Sequence, residues 1–208
     1  MSRRPDWMSD HGPAWRSLEA RRVYANPWIS LDEHRACAPT GRETVYGVVR
    51  FRNLALAILP IHEDGAVTLI GQARFPAGDY SWELPEGGGP LETDPLESAK
   101  RELLEETGLS ARTWIPVLEA QLSNSVTDER ALGYVALDLE QQDSGSPDET
   151  ELLARVRVPF HEALSAALAG HMKDVLTLAM LLRGYHLAME GGLPRALATA
   201  MLGKAPER

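Results

Sequence analysis

The stretch GGGPLETDPLESAKRELLEETGL, residues 87–109, constrains the fold more than any other part of the chain. Asp94 can accept at an N-cap, Pro95 suits the first helical position, Glu97 stands where a capping box needs it, and Gly108 suits a left-handed C-terminus. This predicts a helix between those caps. Leu96, Ala99 and Leu103 fall on one side of it, while Glu102, Glu105 and Glu106 point a quarter turn or more away. Like charges at such spacing repel by roughly 0.2–0.5 kcal/mol per pair. A helix that packs with one face and gathers acids on another needs something to offset that repulsion.

Divalent cations are the natural offset. Carboxylate oxygens suit Mg²⁺ or Mn²⁺, which take one or two protein carboxylates and keep positions for water and substrate phosphate. Glu102 and Glu106, one turn apart, can share such ions with Glu105 beside them. A solvated acidic face is the plain alternative for an isolated E-x-x-E-E. The glycines ahead of the helix, after the strand-like YSWELPE, favour the metal reading because they let backbone approach a ligand closely.

Four strand-like runs precede this first strong helix signal. Residues 28–38 and 43–51 read as strands joined by the turn signal PTG, and residues 54–61 and 66–74 follow, joined at Asp64-Gly65. Residues 114–122, 131–139 and 152–158 read as further strands, with EQQDSGSPD as a polar loop between the last two. Helices are predicted over 159–169 and 174–190, where Leu176, Ala179 and Leu182 form an apolar stripe, and Gly191-Gly192 ends the second. Strands and helices mix without βαβ alternation, so the expected class is α+β, an α/β/α sandwich with a mixed sheet. Residues 1–20 read as a polar lead-in, 21–52 as an N-terminal β extension, 53–190 as the main domain, and 191–208 as a tail holding a short helix of no evident role.

Charge and cysteine content narrow the function. A net charge of −9 does not favour a sequence-independent grip on nucleic acid, and an anionic ligand would need metal ions or a local basic patch. Cys37 is the only cysteine, which excludes an intrachain disulfide and fits a reducing, cytoplasmic setting. The N-terminus has no apolar signal region, and the longest apolar run, residues 175–182, is too short to span a bilayer, so no membrane role is expected. The six histidines, His11, His34, His62, His161, His171 and His186, lack metal-ligand spacing and read as surface or structural groups. Trp28, Tyr80 and Trp82 could stack on a base, but packing in strands is the commoner role of such residues.

The central stretch resembles the signature of the Nudix hydrolase family, G-x5-E-x7-R-E-U-x-E-E-x-G-U, with U apolar. Gly87, Arg101, Glu102, Leu103, Glu105, Glu106, Gly108 and Leu109 match at the family spacing. Thr93 stands where the signature has its first glutamate, which in the family helps hold the arginine; Asp94 or Glu97 could take over that contact to Arg101. The resemblance implies a mixed sheet between helices with a loop-helix-loop signature, and hydrolysis of a nucleoside diphosphate linked to another group. It also implies Mg²⁺ or Mn²⁺ held by Glu102, Glu106, Glu105 and the backbone carbonyl of Glu86, with Arg101 and Glu105 in the catalytic machinery.

The flanks, over roughly residues 22–188, are most similar to the ADP-ribose and nucleotide-sugar diphosphatase branch. There the segment GQARFPAGDYSWELPEGGG implies Arg74 as a contact to phosphate or terminal ribose, and Glu83 as a hydroxyl or structural contact. SNSVTDER resembles SPG-x-x-x-E, which implies Glu129 near the substrate, with Asn124 in place of the proline. PDETELL resembles a loop carrying the catalytic base and an extra ligand, which implies Glu149 as base and Glu151 as ligand. Branch members are typically homodimers joined through N-terminal sheets. The expected substrate is ADP-ribose or a related nucleoside diphosphate sugar; GDP-mannose, another such sugar, or a non-catalytic nucleotide-binding regulator are the alternatives.

Overall fold

A computed structural model of the chain describes residues 4–142 and 152–203. It resolves into two compact units, one of residues 1–52 with 123–128, the other of residues 53–122 with 129–208.

The first unit is a three-stranded antiparallel sheet in the order β1-β2-β3, formed by Arg16–Ala25, Ile29–Cys37 and Glu43–Phe51. β1 begins inside the residues expected to form a polar lead-in. It lacks apolar alternation because every one of its side chains is exposed, and it is held across the sheet by ion pairs, Arg21 to Glu33 at 2.7 Å and Arg22 to Asp32 at 2.8 Å. A 3₁₀ turn at Asp6–Met8 precedes it. The 123–128 segment docks on β3: Val49 N–H donates to the Val126 carbonyl, Phe51 N–H to Asp128 Oδ1 at 2.9 Å, and the Tyr46 hydroxyl to the Ser125 carbonyl.

The second unit carries β4 (Asn53–Pro60), β5 (Ala66–Arg74), β6 (Asp79–Glu83), β7 (Glu86–Pro90), β8 (Leu109–Gln121), β9 (Arg130–Gln141) and β10 (Ala154–Pro159). They form two sheets, β7-β4-β9-β8 and β10-β5-β6, antiparallel except for the β4–β9 pair, which is parallel. Four helices, α1 (Pro95–Thr107), α2 (Phe160–Leu168), α3 (Val175–Met189) and α4 (Arg195–Met201), complete the described residues.

β4 explains the layering. Leu54, Leu56 and Ile58 pack with Ala99 and Leu103 of α1, whereas Ala57 and Leu59 pack with Met180 and Leu181 of α3. Alternate side chains point to opposite faces, so both faces of β4 are covered, which is why its sequence is a continuous apolar run. The unit is therefore an α/β/α arrangement around a mixed sheet, of the α+β class expected. α4 has a role that its sequence does not announce. Its Met201 and Ala198 are buried in the same core as α3, so the described part of the C-terminal tail is packed structure.

The triple glycine, whose composition suggests a turn, is instead strand β7, paired with β4 through Leu56 opposite Gly87. Long-range pairing overrides the weak strand tendency of glycine. No described helix is long and apolar enough to cross a membrane, which says nothing of strands.

Candidate active site

α1 forms as its caps predict. The Asp94 carboxylate accepts from Leu96 N–H at 2.9 Å, and Gly108, at φ 71°, takes the left-handed position while its N–H returns to the Leu104 carbonyl. Glu97 does not complete the capping box; it pairs with Lys100 at 2.7 Å. Ala99 and Leu103 are fully buried against β4, which turns the acids toward β7.

There the acids divide. Arg101 binds Glu105 at 2.6 Å and Glu102 at 2.7 Å, and donates to the Gly88 carbonyl at 3.0 Å. These contacts answer the question raised by Thr93: neither Asp94 nor Glu97 replaces the signature glutamate, since Asp94 caps the helix and Glu97 holds Lys100. Partial burial opposes the Arg101 charge, but Glu102 and Glu105 outweigh it and raise its pKa. Glu106 is buried at 3% exposure and accepts from Glu86 N–H at 3.0 Å.

Gly87 makes this proximity possible. A Cβ there would lie 2.0 Å from the carboxyl carbon of Glu102, so with any other residue at 87 the Glu102 carboxylate would have to move from its present place.

Next to this face Arg74, at the end of β5, binds Glu83 of β6 with Nη2 to Oε2 at 2.5 Å and Nε to Oε2 at 3.0 Å. Burial works against the Arg74 charge, yet Glu83, Glu86 and Glu106 together raise its pKa. Those four residues therefore form one charge cluster. The Glu86 carboxyl sits well above the ordinary carboxylate range, first because it is buried and then because Asp174 and Glu83 face it.

A cavity of about 390 Å³ opens beside Arg74 and Glu83, also lined by Tyr80, His171, Lys173 and Asp174. His171 thus has a place beside the site that its sequence context, that of a surface or structural group, does not suggest, while Asp174, where the predicted helix begins, is the N-cap of α3. His171, Lys173 and Asp174 lie on the short connection from α2 to α3. Of the three aromatic residues that could stack on a base, Trp82 packs on the core, Tyr80 reaches the cavity, and Trp28 is exposed. Glu129 lies just ahead of β9, its carbonyl accepting from Leu122 N–H, and does not line this cavity. Glu149 and Glu151 lie outside the described residues.

The donor set tests well for a hard divalent cation. Glu102, Glu105 and Glu106 offer only oxygen and sit on one helix against the Gly87 backbone. Among the described residues no three acidic, imidazole or thiolate groups converge at ligand spacing. The reason is visible: Glu102 and Glu105 are folded onto Arg101, and Glu106 onto Glu86 N–H. An ion bound here would take these carboxylates from Arg101 and from Glu86 N–H.

Sequence comparison agrees with this geometry. The NUDIX domain profile matches residues 51–179, more than half of the chain.

The chain belongs to the Nudix family.

An ADP-ribose pyrophosphatase of Mycobacterium tuberculosis is 28% identical over 201 residues, covering 95% of this chain and 95% of that protein. A GDP-mannose pyrophosphatase of Yersinia pestis is 33% identical over 138 residues, 62% of this chain and 69% of that one. A crystal structure described as an ADP compounds hydrolase matches with a TM-score of 0.78 over 88% of this chain and 99% of its own, at 20% identity, a likeness of fold. The protein is a Nudix hydrolase, with the mixed sheet and loop-helix-loop of that family. Nudix hydrolases in general need a divalent metal.

Proposed function

We propose that this Nudix hydrolase cleaves the diphosphate of ADP-ribose, or of a related nucleoside diphosphate sugar, to a nucleoside monophosphate and a sugar phosphate. The observation that carries the reading is the acidic face of α1, pressed against Gly87, with Glu106 near enough to raise the pKa of Arg74, which lines the cavity with Glu83. Kinship with an ADP-ribose pyrophosphatase over nearly the full length of both chains supports the substrate class.

Glu102, Glu105, Glu106 and the Glu86 carbonyl would hold Mg²⁺ or Mn²⁺, with Glu151 as a further ligand. A bound ion supplies neutralisation of the diphosphate, polarisation of a P–O bond and a more acidic water. Arg101 gathers Glu102 and Glu105 on the helix, from where they would turn to the ion. Arg74, oriented by Glu83, presents its remaining N–H groups to phosphate or ribose oxygens. Glu129 would contact the substrate. Glu149 takes a proton from the attacking water, whose oxygen joins phosphorus as the bridging P–O bond breaks.

The exposed apolar side chains of the first unit, among them Trp15, Val23, Tyr24 and Val45, support a homodimer in which a second copy covers that sheet. The single, buried Cys37 suits a cytoplasmic setting, and the acidic balance does not favour nucleic acid or a membrane as partner.

The test is phosphate release, after phosphatase coupling, from ADP-ribose, ADP-glucose, GDP-mannose, UDP-glucose, NADH and a capped RNA, each with Mg²⁺, with Mn²⁺ and with EDTA. Cation-dependent cleavage concentrated on ADP-ribose is expected. Concentration on GDP-mannose would favour the substrate of the Yersinia relative. Nucleotide binding with no turnover on any compound would sink the enzymatic reading in favour of a regulator.

A further inference from the structure

Thr177 is fully buried in the first turn of α3, about ninety residues in sequence from the strand it touches. A hydroxyl has one proton to give and two lone pairs to accept with. Here it accepts from Leu84 N–H at 2.9 Å and donates to Glu86 Oε1 at 3.1 Å. Its own N–H goes to the capping carboxylate of Asp174 at 2.6 Å. Glu86 in turn donates its backbone N–H to Glu106 Oε2. One side chain thus joins a helix terminus to the bend at residues 84–86, and through that bend to an acid of α1.

We propose that Thr177 is a positioning residue of the cation site, holding the 84–86 bend so that the Glu86 carbonyl faces the acids of α1. The inference rests on the diphosphatase reading and adds to it a residue outside the signature.

Packing makes the anchor rigid. Met180 and Leu181, one turn further along α3, are fully buried, and Gly184 lies against Leu59 and Phe160, so α3 cannot slide to follow a displaced bend. On the other side Gly87, next to Glu86, lies against the Glu102 carboxylate, whose carboxyl carbon a Cβ there would meet at 2.0 Å. A purely space-filling residue at position 177 would need no hydroxyl. The observed one serves two groups at the point where the chain enters the site.

Mn²⁺ binding, followed by electron paramagnetic resonance without substrate, tests this in Thr177→Val and Thr177→Ser. The valine variant keeps the volume and loses both hydroxyl bonds; its Mn²⁺ affinity should fall about 10- to 100-fold, the range for losing a group that orients a ligand. Serine should restore binding to within about twofold, and KM for substrate at saturating cation should move less than kcat. Wild-type affinity in Thr177→Val would overturn the proposal while leaving the enzymatic reading intact. Wild-type protein that binds no Mn²⁺ would overturn both. Should Thr177→Val fail to fold, Glu86→Gln and Glu86→Ala make the comparison: both remove the charge, only Gln keeps an acceptor for Thr177. Weaker Mn²⁺ binding in Ala than in Gln supports the latch, and equal binding refutes it.

Discussion

Glu106 combines deep burial with a carboxylate aimed at β7, and its backbone-facing oxygen is occupied by Glu86 N–H. Replacing it with Gln preserves an oxygen acceptor for that N–H and removes only the charge. Glu106→Gln should therefore lower kcat by at least about 100-fold, the loss that goes with several kcal/mol of charge stabilisation, with little change in melting temperature. A near wild-type rate at saturating Mg²⁺ would refute its assignment as a ligand. His62 gives a separate test, away from the site. Its ring nitrogen meets Thr68 Oγ1 at 2.9 Å, and its pKa lies below the ordinary 6.5, first through burial and then through Arg157, against a smaller pull from Asp64. A depressed pKa means that the unfolded chain binds more protons in the window below 6.5. The His62 contribution is thus complete above that value and lost as pH falls through the folded value. Urea midpoints measured across that window should fall toward acid, and His62→Gln should flatten the fall; an unchanged slope would reject the assignment.

Among the elements, β7 and α1 act as a pair. Gly87 has no need of a special backbone conformation, since its φ is not among the positive ones; it is required for closeness alone. Gly87→Ala should leave the strand paired to β4 but push Glu102 aside, weakening Mn²⁺ binding by about tenfold, on the scale seen when ligand orientation is disturbed. Calorimetric titration of the variant checks this, and unchanged affinity would mean that Glu102 is not a ligand of the ion. The α1 termini are legible in the amino-acid sequence because caps are local: Asp94, Pro95 and Gly108 act within a few residues of themselves. β7 is not, because a glycine run has no strand signal and gains its form from β4. β1 is hidden for a related reason, since a strand exposed along its whole length carries no alternation to read.

For the whole molecule, a divalent ion held by the acids of α1, as proposed, would bind the folded chain and not the unfolded one. Binding to the folded chain alone adds about 2.7 kcal/mol when the free ion is at 100 times its Kd. Thermal melting should rise with Mn²⁺ or Mg²⁺ and return to its starting value with EDTA, whereas Glu106→Gln should show little of the rise. A melting temperature indifferent to divalent ions would remove the case for a cation site. Sedimentation should give about twice the chain mass if a second copy covers the exposed apolar residues of the first unit, and a monomer at micromolar concentration would reject the dimer.

Local chemistry in the sequence was enough to determine the capped helix, the acids along it, and, by the spacing of Gly87, Arg101, Glu102, Glu105, Glu106 and Gly108, the family. Each of these depends on residues near one another in the chain. What only the tertiary structure decided are the contacts across long separations: that Arg101 closes on Glu102, Glu105 and Gly88 in the absence of the signature glutamate, that Arg74 and Glu83 share a cavity with the α2–α3 connection, and that Thr177 holds the bend before Gly87. No local pattern encodes such partners, because a hydroxyl or carboxylate is indifferent to sequence distance and bonds with whatever group the packing of sheet and helix brings within about 3 Å.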